Sequence, residues 1–478
     1  MYEKAQSNGV PLRFIISILA TVTAFLFSAV SGMFIVAWLT ALFAGYYISK
    51  LRKQQELILY SIILILVLQN LIIGIGAHVS GNTNGLTFLT QVPLIFTLGV
   101  FFGEGILNIE FDSVTVPFVL LLLVAVGSMA FGHGSAGSIL ANIRNLSFFY
   151  IVYEISSKVT SSERFSAVKF CRHLLRLAVI IIVIGIVLLI GGYSLYNWIG
   201  INEVYNAKSA SALQMNGALD GRFYTDVFGV HVTRMGSLYY EPVNLGYLLV
   251  GILIFLLMFQ WTKNKLESLL MESFVFIGVI LTFGKGALLA LFLILLAPTI
   301  HKVVKKVLFF FSDFSIYTCM IVLVSLFVYL YSNFYYMVYG GAVGNHFTAI
   351  SETWVNIIAQ PLGHGLGTGG NAAATLNSGL EESSWLSTGG ETAFLSFGYQ
   401  IGLIGIVLLA VTFFNVGKKS IISSSFLKKS ERSNLIRLAY VPVVLIIISI
   451  FQDNTYAPQC IAIYMMLVSM RNYIIKTE

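Results

Sequence analysis

Residues 57–78 read LILYSIILILVLQNLIIGIGAH, an unbroken stretch with no Lys, Arg, Asp or Glu. A helix rises about 1.5 Å per residue, so the stretch is long enough to cross a hydrocarbon layer about 30 Å thick. A bilayer tolerates such a segment because a helix satisfies its own backbone hydrogen bonds. Just ahead of it stand Lys50, Arg52 and Lys53, and this pattern of an apolar run beside a basic gap is repeated along the chain. Further runs lie near 13–30, 33–49, 86–103, 114–131, 138–157, 175–193, 244–261, 267–283, 286–300, 314–337, 392–414, 437–452 and 457–470. Together they predict an all-α, polytopic membrane protein with about fourteen spanning helices.

Composition agrees. Of 478 residues, 57% are hydrophobic and 10% charged, against about 25% charged in a soluble domain. The net charge of +7 does not point to nucleic acid, because the basic residues are not gathered into one aromatic-studded patch. Cys171, Cys319 and Cys460 are too few and too scattered for a disulfide framework. The run from Arg13 to Val30 begins as a signal peptide does, yet no small-residue cleavage site follows, so it reads as a retained first helix.

The basic residues fall into every second gap. Lys50, Arg52 and Lys53 share one; Lys158, Arg164, Lys169, Arg172 and Arg176 share another. Lys263 and Lys265, then Lys302, Lys305 and Lys306, then the cluster from Lys418 to Arg437 continue the alternation. Cytoplasmic loops are enriched in Lys and Arg, so this side reads as cytoplasmic, with both termini on it. Of 28 basic residues only Arg144, Lys208, Arg222, Arg234 and Lys285 lie elsewhere, at or beyond the outer ends of the predicted helices.

The chain divides into an N-terminal bundle (1–193), a first large outer loop (194–243), central helices (244–337), a second large outer loop (338–391) and C-terminal helices (392–478). The second loop has no Lys or Arg but carries Glu352, Glu381, Glu382 and Glu391. Within it, Ala349 to Ala359 has the pattern of an amphipathic helix lying on the membrane surface, with Trp354 on its apolar side. There is no internal repeat or inverted symmetry of the kind that marks many transporters.

Four polar stretches interrupt the apolar background. In the first, Thr233 to Gly246, Arg234 and Glu241 need partners or a watery cavity, and Pro242 suits the first turn of a helix. An interface salt bridge is the plainer reading. In the second, Leu281-Thr282-Phe283-Gly284-Lys285-Gly286-Ala287 makes a tight turn with a lone ammonium that either snorkels to headgroups or binds an anion. The third joins Gly344-Asn345-His346 to the run from Pro361 to Gly370, whose glycines suit either an anion-binding nest or a flexible loop. The fourth, Gly389-Gly390-Glu391-Thr392 leading to Gln400-Ile401-Gly402, puts Glu391 at the mouth of a helix as either a cap or a proton acceptor.

In this order and spacing the stretches resemble the O-antigen ligase and polymerase family of membrane glycosyltransferases, in its Wzy-type polymerase branch, over roughly residues 220–415. Family members show an arginine, then a Phe or Tyr, an acidic or amide residue and a proline entering a helix, which Arg234, Tyr240, Glu241 and Pro242 match. A Ser-Arg-Gly turn follows in the family, where this chain has Gly284-Lys285-Gly286; Lys does not grip phosphate bidentately as Arg does. His346, Trp354 and Pro361 to Thr368 fit the large loop of exopolysaccharide and capsule polymerases. Ligases carry His-Asn where this chain has Glu391-Thr392, and the paired arginine motifs of some polymerases are absent.

The resemblance implies a GT-C-like architecture and transfer of a growing glycan from undecaprenyl diphosphate onto a new lipid-linked repeat unit, at the outer face of the cytoplasmic membrane. It implies catalytic roles for Arg234, Glu391 and His346, and substrate contacts from Arg222, Lys285, Tyr240, Glu241, Asn244, His364 and Trp354. The partners implied are the undecaprenyl-diphosphate-linked oligosaccharide, membrane lipids, a chain-length regulator and a flippase, with no nucleic acid. No metal or other cofactor is expected, since no His/Asp cluster marks the outer segments. The alternatives are a ligase that hands a finished glycan to another acceptor, and a flippase or transporter of lipid-linked sugars.

Overall fold

The computed structural model describes residues 10–81, 86–105, 111–208, 219, 223–227, 230–322, 342–376, 387–390, 392–425 and 427–477. It is 80% helical. The helices are α1 (Leu12–Ser31), α2 (Phe34–Ser49), α3 (Glu56–Ser80), α4 (Leu86–Leu89), α5 (Val92–Gly103), α6 (Thr115–Ser128), α7 (Ala136–Ser161), α8 (Ala167–Trp198) and α9 (Ile201–Lys208). After them come α10 (Pro242–Met258), α11 (Lys265–Leu281), α12 (Lys285–Val307), α13 (Asp313–Val322), α14 (Ala342–Ala359) and α15 (Gly370–Leu376). Last are α16 (Ala393–Ser424), α17 (Lys429–Ser449) and α18 (Pro458–Thr477). Each apolar run in the sequence falls on a helix, the run near 314–337 only as far as Val322, beyond which it leaves the described residues.

Among the described residues, 7 helices are long and apolar enough to cross a membrane, and 4 more are apolar but shorter. The chain is a helical membrane protein. Its one departure from all-α among the described residues is a hairpin of β1 (Tyr224–Val227) and β2 (Val230–Thr233), antiparallel with Tyr224 opposite Thr233. It lies in the first large loop, just ahead of Arg234.

At the centre stand α10, which buries nearly every residue, and the first half of α18, with Tyr247, Leu248, Ile461 and Tyr464 among the buried side chains. A helix apolar on all sides is stable only where neighbours or lipid cover all sides. The outer helices expose leucines, valines and phenylalanines instead, such as Leu19, Phe43, Leu123 and Phe292, as lipid-facing surfaces do. Lipid supplies little hydrophobic drive between helices, so close approach carries the packing. In α5, Gly99 and Gly103 form a small-xxx-small pair against α2: a Cβ on Gly99 would stand 2.1 Å from the Leu42 carbonyl oxygen.

Basic side chains from alternate gaps meet at one end of the bundle. Lys50 donates to the Gly103 carbonyl and Lys158 to that of Glu104. Arg164 donates to the Arg52 carbonyl at 3.3 Å, and Arg172 to that of Trp261 at 3.1 Å. These cations cap the last carbonyls of neighbouring segments, which have no intrahelical partner.

Asp112 locks α6 to α16. One carboxylate oxygen accepts from the Val114 and Thr115 amides, 2.8 Å each, while the other pairs with Lys419. Burial pushes this carboxyl up, but the Lys419 hydrogen bond and the two amides outweigh burial and hold it below its ordinary 3.8. A depressed folded value stabilises the fold above the unfolded value, and that contribution disappears as pH falls through the folded one. Thermal unfolding in detergent should therefore show a stability loss below about pH 4 that Asp112→Asn lacks. At neutral pH the substitution should cost about 1 kcal/mol, because the paired side chains are 25% and 34% exposed and asparagine keeps the cap.

Candidate functional site

A cavity of about 230 Å³ opens away from the basic end of α7. Its walls come from segments far apart in sequence: Gln69 on α3, Thr87 and Thr90 around α4, Asn142, Arg144 and Asn145 on α7, and Tyr205 on α9. The remaining wall is Glu241 and Asn244 at the start of α10, Gly369 to Ala372, Gly389, Ser396 on α16, and Asp453, Asn454 and Gln459. Such a concentration of polar groups inside an apolar bundle is costly unless they serve one another or a ligand.

Three long helices begin at this cavity. Pro242 opens α10, Ala393 opens α16 and Pro458 opens α18, and residues from each first turn line it. Helix amino ends carry unsatisfied N–H groups and a positive partial charge of roughly half an elementary charge. That field suits the two carboxylates there. Glu241, 6% exposed, is the extended residue just before Pro242, whose ring presets the first helical turn.

Amide side chains knit the walls together. Gln459 donates to Gln69 Oε1 at 2.9 Å, and Cys460 Sγ to Asn244 Oδ1 at 3.2 Å. Fully buried Gln400 donates through Nε2 to Asn142 Oδ1 at 3.3 Å and to Ser396, and its Oε1 accepts the Gly367 amide at 2.7 Å. Arg144 lies about two turns inside α7, not at a helix end as the sequence suggested. Its Nε donates to Asn145 Oδ1 at 3.2 Å, and its Nη1 to the Thr90 hydroxyl at 3.1 Å and carbonyl at 3.3 Å.

The glycine run 361–370 packs against a break in α16. Helix α16 breaks at Gly402 (φ 73°, ψ −174°), which releases carbonyls that an unbroken helix would use. The run fills the gap: His364 N–H donates to Tyr399 O at 2.9 Å, Gly365 N–H to Gln400 O at 3.0 Å, and Leu403 N–H donates back to Pro361 O at 2.9 Å. Gly363, Gly365, Gly367 and Gly370 all have positive φ, and a Cβ on Gly365 would meet Gly132 at 2.6 Å. The glycines buy closeness, and the amides are spent on the α16 kink.

Of the residues singled out from sequence, Glu241 and Asn244 line the cavity. Arg234 does not; its Nε donates to the Thr282 carbonyl at 3.0 Å, and Met235 N–H to Leu281 O at 2.9 Å, so the first two polar stretches are joined. Lys285 is exposed on the first turn of α12, and neighbouring Gly286 packs on Gln452, next to cavity-lining Asp453. The buried Tyr240 hydroxyl donates to Ile199 O at 2.6 Å, clamping the α8–α9 turn to the start of α10. His364 stacks on Tyr399 with ring centroids 3.9 Å apart, outside the cavity wall. Trp354, 40% exposed, lies with Val355 and Ile358 on an uncovered face of α14. His346 falls on α14 as well. Arg222 and Glu391 lie outside the described residues; Gly389 and Ala393, close in sequence to Glu391, line the cavity.

Sequence reading passed over Arg144, Asn142, Gln69 and Asp453. The signal for the first was present: an ionisable residue between two asparagines within an apolar run is itself a pointer to a site. No family model matches the chain, and no curated protein matches its sequence.

Proposed function

We propose that this chain is a membrane glycosyltransferase of the O-antigen ligase and polymerase kind, polymerising undecaprenyl-diphosphate-linked repeat units into a surface polysaccharide. The observation that carries the reading is convergence. Three of the four stretches that carry the resemblance, 233–246, 361–370 and 389–400, contribute to one polar cavity at the start of three helices, and the fourth, 281–287, is hydrogen-bonded to the first. In this reading about fourteen helices span the cytoplasmic membrane in a GT-C-like arrangement, both termini are cytoplasmic and the cavity faces outward.

The acceptor hydroxyl oxygen bonds the donor's anomeric carbon. The bond from that carbon to the diphosphate oxygen breaks, its electron pair leaving on the diphosphate, and the hydroxyl proton passes to a carboxylate. Glu391, or failing that His346, takes this proton. Glu241 and Asn244 hold sugar hydroxyls in the cavity. Arg234, with Arg222 and Lys285, supplies positive charge near the leaving group and fixes the 281–287 turn; Trp354 offers a stacking face for sugars outside.

Purified protein given defined lipid-linked repeat units should yield a ladder of longer glycans. A single transfer to a foreign acceptor would mark a ligase instead, and no product alongside translocation of the lipid would mark a flippase. Arg234→Ala should slow ladder growth by about 10²-fold or more, the scale of losing one charge-stabilising donor. An unchanged rate in folded protein would remove Arg234 from the reaction.

A further inference from the structure

We infer that the cavity is a diphosphate-binding site and that Arg144 is the residue that grips the anion. This deepens the reading above and rests on it for the identity of the ligand, a prenyl diphosphate. Arg144 is partly buried in α7, and among the described residues no ion pair includes it. Two of its three nitrogens are held by Asn145 and Thr90; the third, Nη2, has no described acceptor. A guanidinium offers five donors in a rigid fork that matches phosphate oxygens, and desolvating one without a counter-anion is expensive. A bound anion is what completes it.

The surrounding charges favour this. The two cavity carboxylates stand on another part of the wall: Glu241 and Asp453 are both within electrostatic reach of Cys460 on α18, whereas Arg144 is tied to Thr90. Among the described residues that line the cavity Arg144 is the single cation, and the amino ends of α10, α16 and α18 favour negative charge beside it. Lining amides at Asn145 and Asn454 add N–H donors of the kind that bind the remaining phosphate oxygens. The cavity is thus polarised, with a cation for a leaving diphosphate on the α7 side and carboxylates for an acceptor hydroxyl on the α10 side.

The test is binding to purified protein in detergent, with farnesyl diphosphate as probe and farnesol, inorganic pyrophosphate and phosphatidylglycerol as competitors. Farnesyl diphosphate should bind, farnesol should not compete, and Arg144→Gln should weaken binding by about 10- to 100-fold, the value of charge-assisted hydrogen bonds. Arg144→Lys should fall between. Should Arg144→Gln fail to fold, the wild-type protein still answers: farnesyl diphosphate should protect Arg144 from phenylglyoxal, read by peptide mass spectrometry. Competition by pyrophosphate supports an anion site that reads the diphosphate itself. Equal affinity in Arg144→Gln, no binding to wild type, no protection of Arg144, or phosphatidylglycerol competing as well as farnesyl diphosphate would each overturn the inference. Binding is scored without any glycan product, so a missing ladder sinks the proposed reaction while leaving this result standing, and the reverse also holds.

Discussion

Gly402→Ala is expected to destabilise the protein by about 2–6 kcal/mol and to take the cavity with it. At φ 73° and ψ −174° the backbone lies in a region that is essentially glycine-only, and an L-residue there costs about 1–3 kcal/mol. The new Cβ would also stand 2.2 Å from the Pro361 carbonyl oxygen and 2.6 Å from the Leu362 carbonyl carbon, so the glycine run must move away. Overpacking of this kind adds about 1–3 kcal/mol. The displaced segment is the one whose amides cover the carbonyls freed by the kink, so the loss extends to the His364 and Gly365 hydrogen bonds. Thermal unfolding in detergent measures the effect. A midpoint equal to wild type would show that the kink is incidental. Gly127→Ala is the internal control, since a Cβ there meets open space.

The contrast between those two glycines shows what a sequence can and cannot convey here. Each spanning-length helix was announced by an apolar run, because the bilayer sets a minimum length and the cationic loops punctuate it, whereas the short helices α9 and α15 in the polar loops had no such run. The entry to α10 was equally readable: Glu241 and Pro242 each prefer their position for local reasons, and the structure has the proline in the first turn. The hairpin at Tyr224–Thr233 had a signal too, in the alternation Val230-His231-Val232-Thr233, but it was submerged in a polar segment read as loop. The role of the glycines at 363–370 had no local signal. Their conformation is dictated by a break in α16 some thirty residues on, and only folding brings the two backbones together.

The site divides along the same line. Glu241 and Asn244 were found because a helix entry within a polar stretch is a local pattern. Arg144 was passed over because its surroundings are long-range: Thr90 comes from the α4–α5 turn, and Gln69, which donates to the same carbonyl at 3.4 Å, comes from α3. Arg234 and Lys285 behave in the opposite way. Both were conspicuous as rare charges outside the basic loops, and neither lines the cavity: Arg234 fastens the turn before α12, and Lys285 is exposed on that helix's first turn. Conspicuous charge in a membrane chain marks expense, and folding alone decides whether the expense goes into structure or into chemistry.

Glu391→Gln and Glu241→Gln should separate the two jobs that a carboxylate can do in the proposed reaction. If Glu391 accepts the acceptor's proton, the amide removes the base but not the shape, and kcat for ladder growth should fall by about 10²- to 10⁴-fold with KM little changed. The acidic limb of the pH profile of kcat should vanish with it, since that limb reports the base becoming protonated. Glu241→Gln, at the start of α10, replaces a charged acceptor of sugar hydroxyls by a neutral one. That difference is about 1 kcal/mol per hydrogen bond, so KM for the acceptor unit should rise by about 5- to 10-fold while kcat stays within a few-fold. Both variants keep side-chain volume, and neither should shift the unfolding midpoint by more than a few degrees. The reverse split, with Glu241→Gln destroying kcat and Glu391→Gln leaving it intact, would move the base from the start of α16 to the start of α10. The carboxylate side of the cavity would then carry the proton transfer itself, facing the Arg144 side where the diphosphate is proposed to leave.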